Sequence, residues 1–284
     1  MGNTARSSVE SWTLSGTTVC YPTVQGKAFS LGRALAGIRS AGMKYVELAS
    51  VPGYCEHFMP EEMDATDAFA LRNEVEAAGL VPGVANIAAD LTTETGIDRL
   101  VKSIELAPAM GLELLVTHIE QTETAEGAKA FFRRIDRVAN TAAKHSVRVA
   151  LETHGGLCTT GRDSIDLVKQ LGSPQLGVAY DTANVIYWGG VRPESDLASI
   201  ADDIAQSVFH FHLKDKANMT LREYVFPTFG EGIVDFGKVL AVIRESGYRG
   251  FLTLEVELNG YPESPEVVDR AIRLSREHLE ANYQ

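Results

Sequence analysis

The sequence predicts an α/β protein, a single (β/α)8 TIM barrel. Three observations predict it. Short β-rich apolar runs alternate with helix-like segments from one end of the chain to the other. Glycines mark helix ends just ahead of several of those runs, and no Ser/Gly-rich or Pro-rich linker breaks the series. A chain of 284 residues, 45% hydrophobic and 23% charged, has ordinary globular composition and the length of one such barrel.

Taken in order, WTLSGTTVC is the first strand. Each of the next three follows a helical segment and a glycine: FSLGRALAGIRS leads into AGMKYVELAS, DAFALRNEVEA into AGLVPGVANI, and IDRLVKSIELAPA into MGLELLVTHIE. In each, glycine suits the left-handed cap of a helix, and the residues after it enter an apolar strand. HSVRVALETH, PQLGVAYDTAN, QSVFHFHLKD and RGFLTLEVE supply the later strands, separated by RDSIDLVKQL, PESDLASIADDIAQ and DFGKVLAVIRESGY. PEVVDRAIRLSREHLEAN is the last helix. The expected domain is therefore 1–284, with residues 1–12 as an N-terminal arm. A doubly wound open sheet is the alternative, but no GxGxxG follows the first strand to support nucleotide binding there.

A formal charge of −12 and a pI near 5.1 set a repulsive field against polyanions, so nucleic acid and anionic membrane surfaces are poor partners. Cys20, Cys55 and Cys158 are odd in number and lack CxxC spacing, which points to reduced thiols rather than disulfides or a zinc knuckle. MGNTARSSVE has no apolar stretch and carries Arg6 where an acylation pattern needs Ser or Thr. Cytoplasmic residence is the expectation, and a homo-oligomer is left open.

In a parallel barrel the chemistry sits at the carboxyl ends of the strands. The first polar residue after each of the last four apolar runs is Glu152 in VALETHGG, Asp181 in GVAYDTAN, His212 in FHFHLKD and Glu255 in LTLEVE. A carboxylate desolvated at a barrel mouth needs a compensating cation, and one divalent ion would satisfy all four residues together. An oxygen-rich set with one imidazole suits Mn²⁺ first, with Mg²⁺, Co²⁺ and Zn²⁺ as alternatives. Alone, each of these residues has an ordinary role as a cap, ion-pair partner or core histidine; four on successive strands do not.

The segments ALETHGG, AYDTAN, FHLKD, FGEGIVDF and GYRGFLTLEVE resemble the sugar phosphate isomerase/epimerase group of xylose isomerase-like TIM barrels. That group includes ketose 3-epimerases, inosose isomerases and dehydratases, and hydroxypyruvate isomerases. The resemblance runs over nearly the whole chain and is densest from 147 to 257. It implies that Glu152, Asp181, His212 and Glu255 hold the metal, and that Glu152 and Glu255 also exchange protons with a small sugar or polyol. Asn184 stands where ketose 3-epimerases commonly carry a substrate-contacting histidine, and HLKDK replaces their acidic, Arg-bearing loop. Lys214 and Asp215 look more like the inosose-processing branches.

Several further residues are candidates for touching substrate. His154 follows Glu152 by one pleat, and His118 and Glu47 close earlier strands. His210 lies one pleat deeper than His212 and suits a supporting role. Arg222 falls in the long loop after the seventh strand, Asp235 is a good N-cap, and Tyr21, Trp12, Phe58, Tyr187 and Trp188 are aromatic groups available as walls.

The expected function is a divalent-metal-dependent isomerase or epimerase working through a metal-stabilised enediolate. The alternative is a lyase, either inosose dehydratase-like or cleaving a 3-keto-glycoside. A metal-dependent endonuclease would need more ligands and a basic groove, and a non-catalytic sugar-binding protein would have no use for four ligands.

Overall fold

The computed structural model describes residues 12–23, 29–119, 122–260 and 262–282. Of the expected N-terminal arm, all but Trp12 lies outside the described residues. Eight parallel strands form the barrel: β1 (Thr13–Thr17), β2 (Tyr45–Val51), β3 (Val81–Ile87), β4 (Leu114–His118), β5 (Arg148–Glu152), β6 (Leu176–Asp181), β7 (Val208–Leu213) and β8 (Phe251–Leu254). Each pairs with its neighbours in sequence, and β1 pairs with both β8 and β2, so the sheet closes on itself. A two-residue antiparallel strand, Cys55–Glu56, extends the end of β2. No helix of the described residues is long and apolar enough to cross a membrane.

The barrel is filled from below. Val84, Leu114, Val116, Ala150 and Ala179 form an interior cluster, with Phe209 and Phe251 packed against it. Both rings demand glycine beside them: a Cβ at Gly83 would stand 2.8 Å from the Phe251 ring, and one at Gly177 would collide with Phe209. The amino-terminal end is thus plugged by side chains, and polar groups are displaced to the opposite end.

The helices are α1 (Leu31–Ser40), α2 (Ala65–Ala77), α3 (Glu94–Met110), α4 (Ala125–His145), α5 (Gly161–Leu171), α6 (Asn184–Gly189), α7 (Pro193–Ser199), α8 (Ala201–Ser207), α9 (Phe236–Glu245) and α10 (Pro265–Asn282). Ser30, Asp64, Thr93, Thr124, Thr160 and Asp235 each accept a backbone N–H at a helix start. Gly42, Gly79 and Gly111 have φ of 88°, 77° and 76°, the left-handed turn that the sequence pattern predicts.

The expected helix over 193–206 is instead two. Ile200 leaves helical geometry at φ −119° and buries its side chain, separating α7 from α8. The loop after β6 also gains the short α6, which carries Asn184, Tyr187 and Trp188.

Candidate metal centre

Four successive strands deliver the cluster. Glu152 and Asp181 are the last residues of β5 and β6, His212 is the penultimate residue of β7, and Glu255 follows β8 directly. Their register is set by the ladder, in which Asp181 pairs with His212 and Glu152 with Ala179. One ligand atom from each lies within 4.8 Å of all the others, and all four residues are buried. The sequence pattern is thereby realised as a geometric convergence.

The individual contacts explain why the atoms point inward. Asp181 Oδ1 accepts the backbone N–H groups of Ala183 at 2.7 Å and Asn184 at 2.8 Å, while its Oδ2 accepts no hydrogen bond. Glu255 Oε2 is likewise without a hydrogen bond, although it lies 3.1 Å from His212 Nδ1. Glu152 Oε1 lies 2.8 Å from the same Nδ1. Two buried carboxylate oxygens left without donors, beside an imidazole and a third carboxylate, are a donor set with room for a cation.

The electrostatics agree. Burial resists ionisation of Glu152, but the charge and hydrogen bond of His212, with His154 and His118 nearby, hold its pKa down at about 2. Burial pushes Asp181 up to about 6, with the Glu152 charge adding to it against the pull of Lys214. Burial also lifts Glu255 to about 8, which Lys214 and His212 only partly offset. His212 is driven the other way: despite burial, Glu47, Glu255 and Glu152 raise it well above the ordinary imidazole range. Packed this closely, the carboxylates do not all ionise readily without more positive charge.

Lys214 supplies part of that charge. Its Nζ lies 3.0 Å from Glu255 Oε1, 2.7 Å from Glu257 Oε2 and 3.6 Å from Asp181 Oδ2, with the Phe226 ring 4.7 Å away. Burial disfavours its ammonium, yet Glu255, Glu257 and Asp181 raise its pKa well above the usual lysine value. Asn184 reaches the cluster too, donating from Nδ2 to Glu152 Oε1 at 3.4 Å.

Beside the cluster, rings form a continuous wall. His118 and His154 lie 4.6 Å apart, His154 and Trp188 5.1 Å apart, and the Arg222 guanidinium covers Trp188 at 3.6 Å. His118, His154 and Trp188 therefore line one side, with Tyr187 packed edge-on against Trp188. The remaining candidate aromatics do not join them. Trp12 donates to the Tyr248 carbonyl near the barrel floor, and Tyr21 is buried with its hydroxyl on Asp269. Phe58 packs in the core.

Glu47, expected as a substrate contact, is placed differently. It is 0% exposed, and its carboxylate is engaged by the Nε2 atoms of His210 and His212. Although burial opposes its charge, those imidazoles hold it well below the ordinary carboxylate range. Asp215 accepts backbone N–H groups from Lys216, Gly230, Gly232 and Val234, so it shapes the GEGIV loop. A side chain at Gly232 would strike the Asp215 carboxylate.

Two functional candidates escaped the sequence reading. Glu257, the Lys214 partner, was detectable as the second carboxylate of LEVE, one pleat beyond Glu255. Asn86, near the end of β3, has a buried Oδ1 that accepts no hydrogen bond and faces the interior like Val84 two residues earlier. Nothing in local sequence distinguishes it from a turn asparagine.

Compared with known proteins, residues 35–278 match the family model described as xylose isomerase-like TIM barrel. The chain belongs to that family. It is 25% identical over 158 residues to inosose dehydratase of Erwinia tasmaniensis, covering 50% of this chain and 52% of that protein. The chain spans about half the length of the curated relatives it matches first. Among solved structures, the D-allulose 3-epimerase of a Methylomonas species in complex with D-allulose has a TM-score of 0.72 at 17% identity, over 96% of this chain and 98% of that one. The IolI protein with a bound zinc atom has a TM-score of 0.75 at 16% identity, over 96% and 99%. At these identities the structural likeness is one of fold.

Proposed function

We propose that this chain is a divalent-metal-dependent lyase that removes water from a keto-polyol by β-elimination. The observation that carries the reading is Lys214, a buried ammonium set among Glu255, Glu257 and Asp181. Glu152, Asp181, His212 and Glu255 would hold the ion, which supplies Lewis-acid polarisation of a carbonyl and so eases loss of the adjacent C–H proton. Glu152, whose Oε1 stands beside the His212 ring at 2.8 Å, takes that proton on a carboxylate oxygen. The C–H electron pair becomes the new C=C bond as the β-C–O bond breaks. Lys214 Nζ donates to the departing hydroxyl, which leaves as water, and the proton on Glu152 restores the balance. Glu257 keeps the ammonium in place through its 2.7 Å contact. The His118, His154 and Trp188 wall excludes water from one side and offers an apolar face to a ring carbon skeleton.

Two further observations support elimination. The inosose dehydratase relative is similar in sequence, 25% identical over 158 residues, where the epimerase structure is alike in fold alone. Asn184 and Lys214 both depart from the ketose 3-epimerase pattern to which the chain is otherwise similar. A specific observation also favours a second reading. Glu152 and Glu255 come from different strands, and both place a carboxylate oxygen beside the His212 ring, 2.8 and 3.1 Å from Nδ1. Such a pair can remove a proton and return one, giving isomerisation or epimerisation.

Protein loaded with Mn²⁺, and separately with Zn²⁺, should be incubated in D₂O with an inosose and with D-allulose. The expected result is release of water and an enone ultraviolet band from the inosose. Deuterium uptake at carbon without elimination moves the epimerase reading ahead. No change in either substrate under any metal refutes both.

A further inference from the structure

His212 is held from both sides of its ring. Nδ1 faces the four-residue cluster, 2.8 Å from Glu152 Oε1 and 3.1 Å from Glu255 Oε2. Nε2 faces away from it, 3.0 Å from Glu47 Oε2 and 3.2 Å from Glu47 Oε1. Glu47 comes from β2, 165 residues away in sequence, and is paired in register with Thr17 of β1 and Val84 of β3. Val84 belongs to the barrel interior, so Glu47 sits inside the barrel, fully buried, below the mouth.

His210 completes the arrangement. One pleat before His212 on β7, it places its Nε2 2.9 Å from the same Glu47 oxygen, with the two imidazoles 4.8 Å apart and nearly perpendicular. The carboxylate is thus fixed by two imidazoles from the same face of one strand.

A neutral imidazole carries one N–H and one lone pair, and the partner of the first decides where the second points. We propose that Glu47, steadied by His210, is the positioning residue of the metal centre. It keeps the Nε2–H of His212, so the proton given up when the ion binds is the one on Nδ1, and Nδ1 is the atom that binds the ion. This rests on the reading of Glu152, Asp181, His212 and Glu255 as metal ligands. Glu47, His210 and His212 also have ligand atoms close enough to form an ion site of their own. His212 Nε2 stands at direct hydrogen-bond distance from Glu47, 3.0 and 3.2 Å, and His210 Nε2 approaches the same carboxylate at 2.9 Å without hydrogen-bond geometry, so these groups orient the ligand rather than hold an ion.

The test uses metal alone as the probe. Wild type, Glu47→Gln and Glu47→Leu are titrated with Mn²⁺ and Zn²⁺ against a competing chelator, with thermal melts to confirm folding. One ion per wild-type chain is expected, with affinity about 10- to 100-fold weaker in Glu47→Leu and an intermediate loss in Glu47→Gln, which keeps an acceptor oxygen but not the charge. Nitrogen NMR of the Zn²⁺-loaded wild type should show His212 with a proton on Nε2 and the metal shift on Nδ1; this reading stands even if the variants do not fold. Metal on Nε2, or a folded Glu47→Leu protein that binds as tightly as wild type, overturns the proposal while leaving the metal centre intact. Two ions per chain, the second lost with Glu47, overturns it in favour of a second site. A wild type that takes up no ion refutes the metal centre itself, and the proposal with it.

Discussion

Lys214→Met separates a structural cation from a chemical one. Methionine keeps the length of the chain and its packing on Phe226 while removing the charge that lies 2.7 Å from Glu257, 3.0 Å from Glu255 and 3.6 Å from Asp181. Only 5% of the Lys214 side chain is exposed, so solvent does little to compensate the carboxylates left behind. Breaking a buried pair by removing one partner costs about 3–5 kcal/mol. In a protein of this size each kcal/mol lowers the melting temperature by roughly 2 °C, so metal-free Lys214→Met should melt about 6–10 °C below wild type. Bound metal should narrow the gap, because the ion then balances Asp181 and Glu255 and only Glu257 remains unpaired. Metal affinity should be unchanged or higher, since a competing cation is gone. Turnover of the inosose, measured on protein of verified metal content, should fall by about 10²–10⁴. A variant with an unaltered metal-free melt and turnover within threefold of wild type would show that Lys214 neither balances the cluster nor takes part in the reaction.

Other expectations follow from the same contacts. Glu152→Gln keeps one oxygen ligand but no base, and should retain metal while losing about 10²–10⁴ in turnover; normal turnover would remove Glu152 from the chemistry. Glu255→Gln should be as severe if protons are exchanged on two faces, and milder if water is eliminated with Lys214 as donor. Chelation should abolish activity and lower the melting temperature, with recovery on adding Mn²⁺, Co²⁺ or Zn²⁺; full activity in verified metal-free protein contradicts the metal assignment. Away from the site, burial lowers the His57 pKa below 6.5, and its Nε2–H donates to the Phe29 carbonyl. The unfolded chain therefore binds a proton at His57 before the folded one does, so metal-free stability should fall as pH drops through 6.5 toward the lower folded value. Urea melts between pH 7.5 and 5 should show a smaller decline in His57→Gln, and parallel curves would count against the assignment.

Much of the site was legible in sequence because strand geometry is local. A run such as VALETH or FHFHLKD announces where a strand stops being apolar, and in a parallel barrel every such stop lies at one end. Glu152, Asp181, His212 and Glu255 could be singled out for that reason, and Gly42, Gly79 and Gly111 marked the helix ends by their own backbone freedom. Glu47 was expected to close its strand, but β2 runs on past it to Val51, so it lies inside the barrel rather than at the strand end. Whether a carboxylate at a strand end meets solvent, substrate or another side chain depends on how the strands are staggered around the barrel, and His210 and His212 reach Glu47 from 163 and 165 residues away. The break at Ile200 was equally hidden, because helix propensity continues through it and only burial in the core draws the residue out of helical geometry. Sequence alone determined which residues close the strands, since that follows from short-range pattern. Tertiary structure decided which of them share one ion-sized space, which nitrogen of His212 faces it and which carboxylates hold Lys214, because those depend on long-range register and burial.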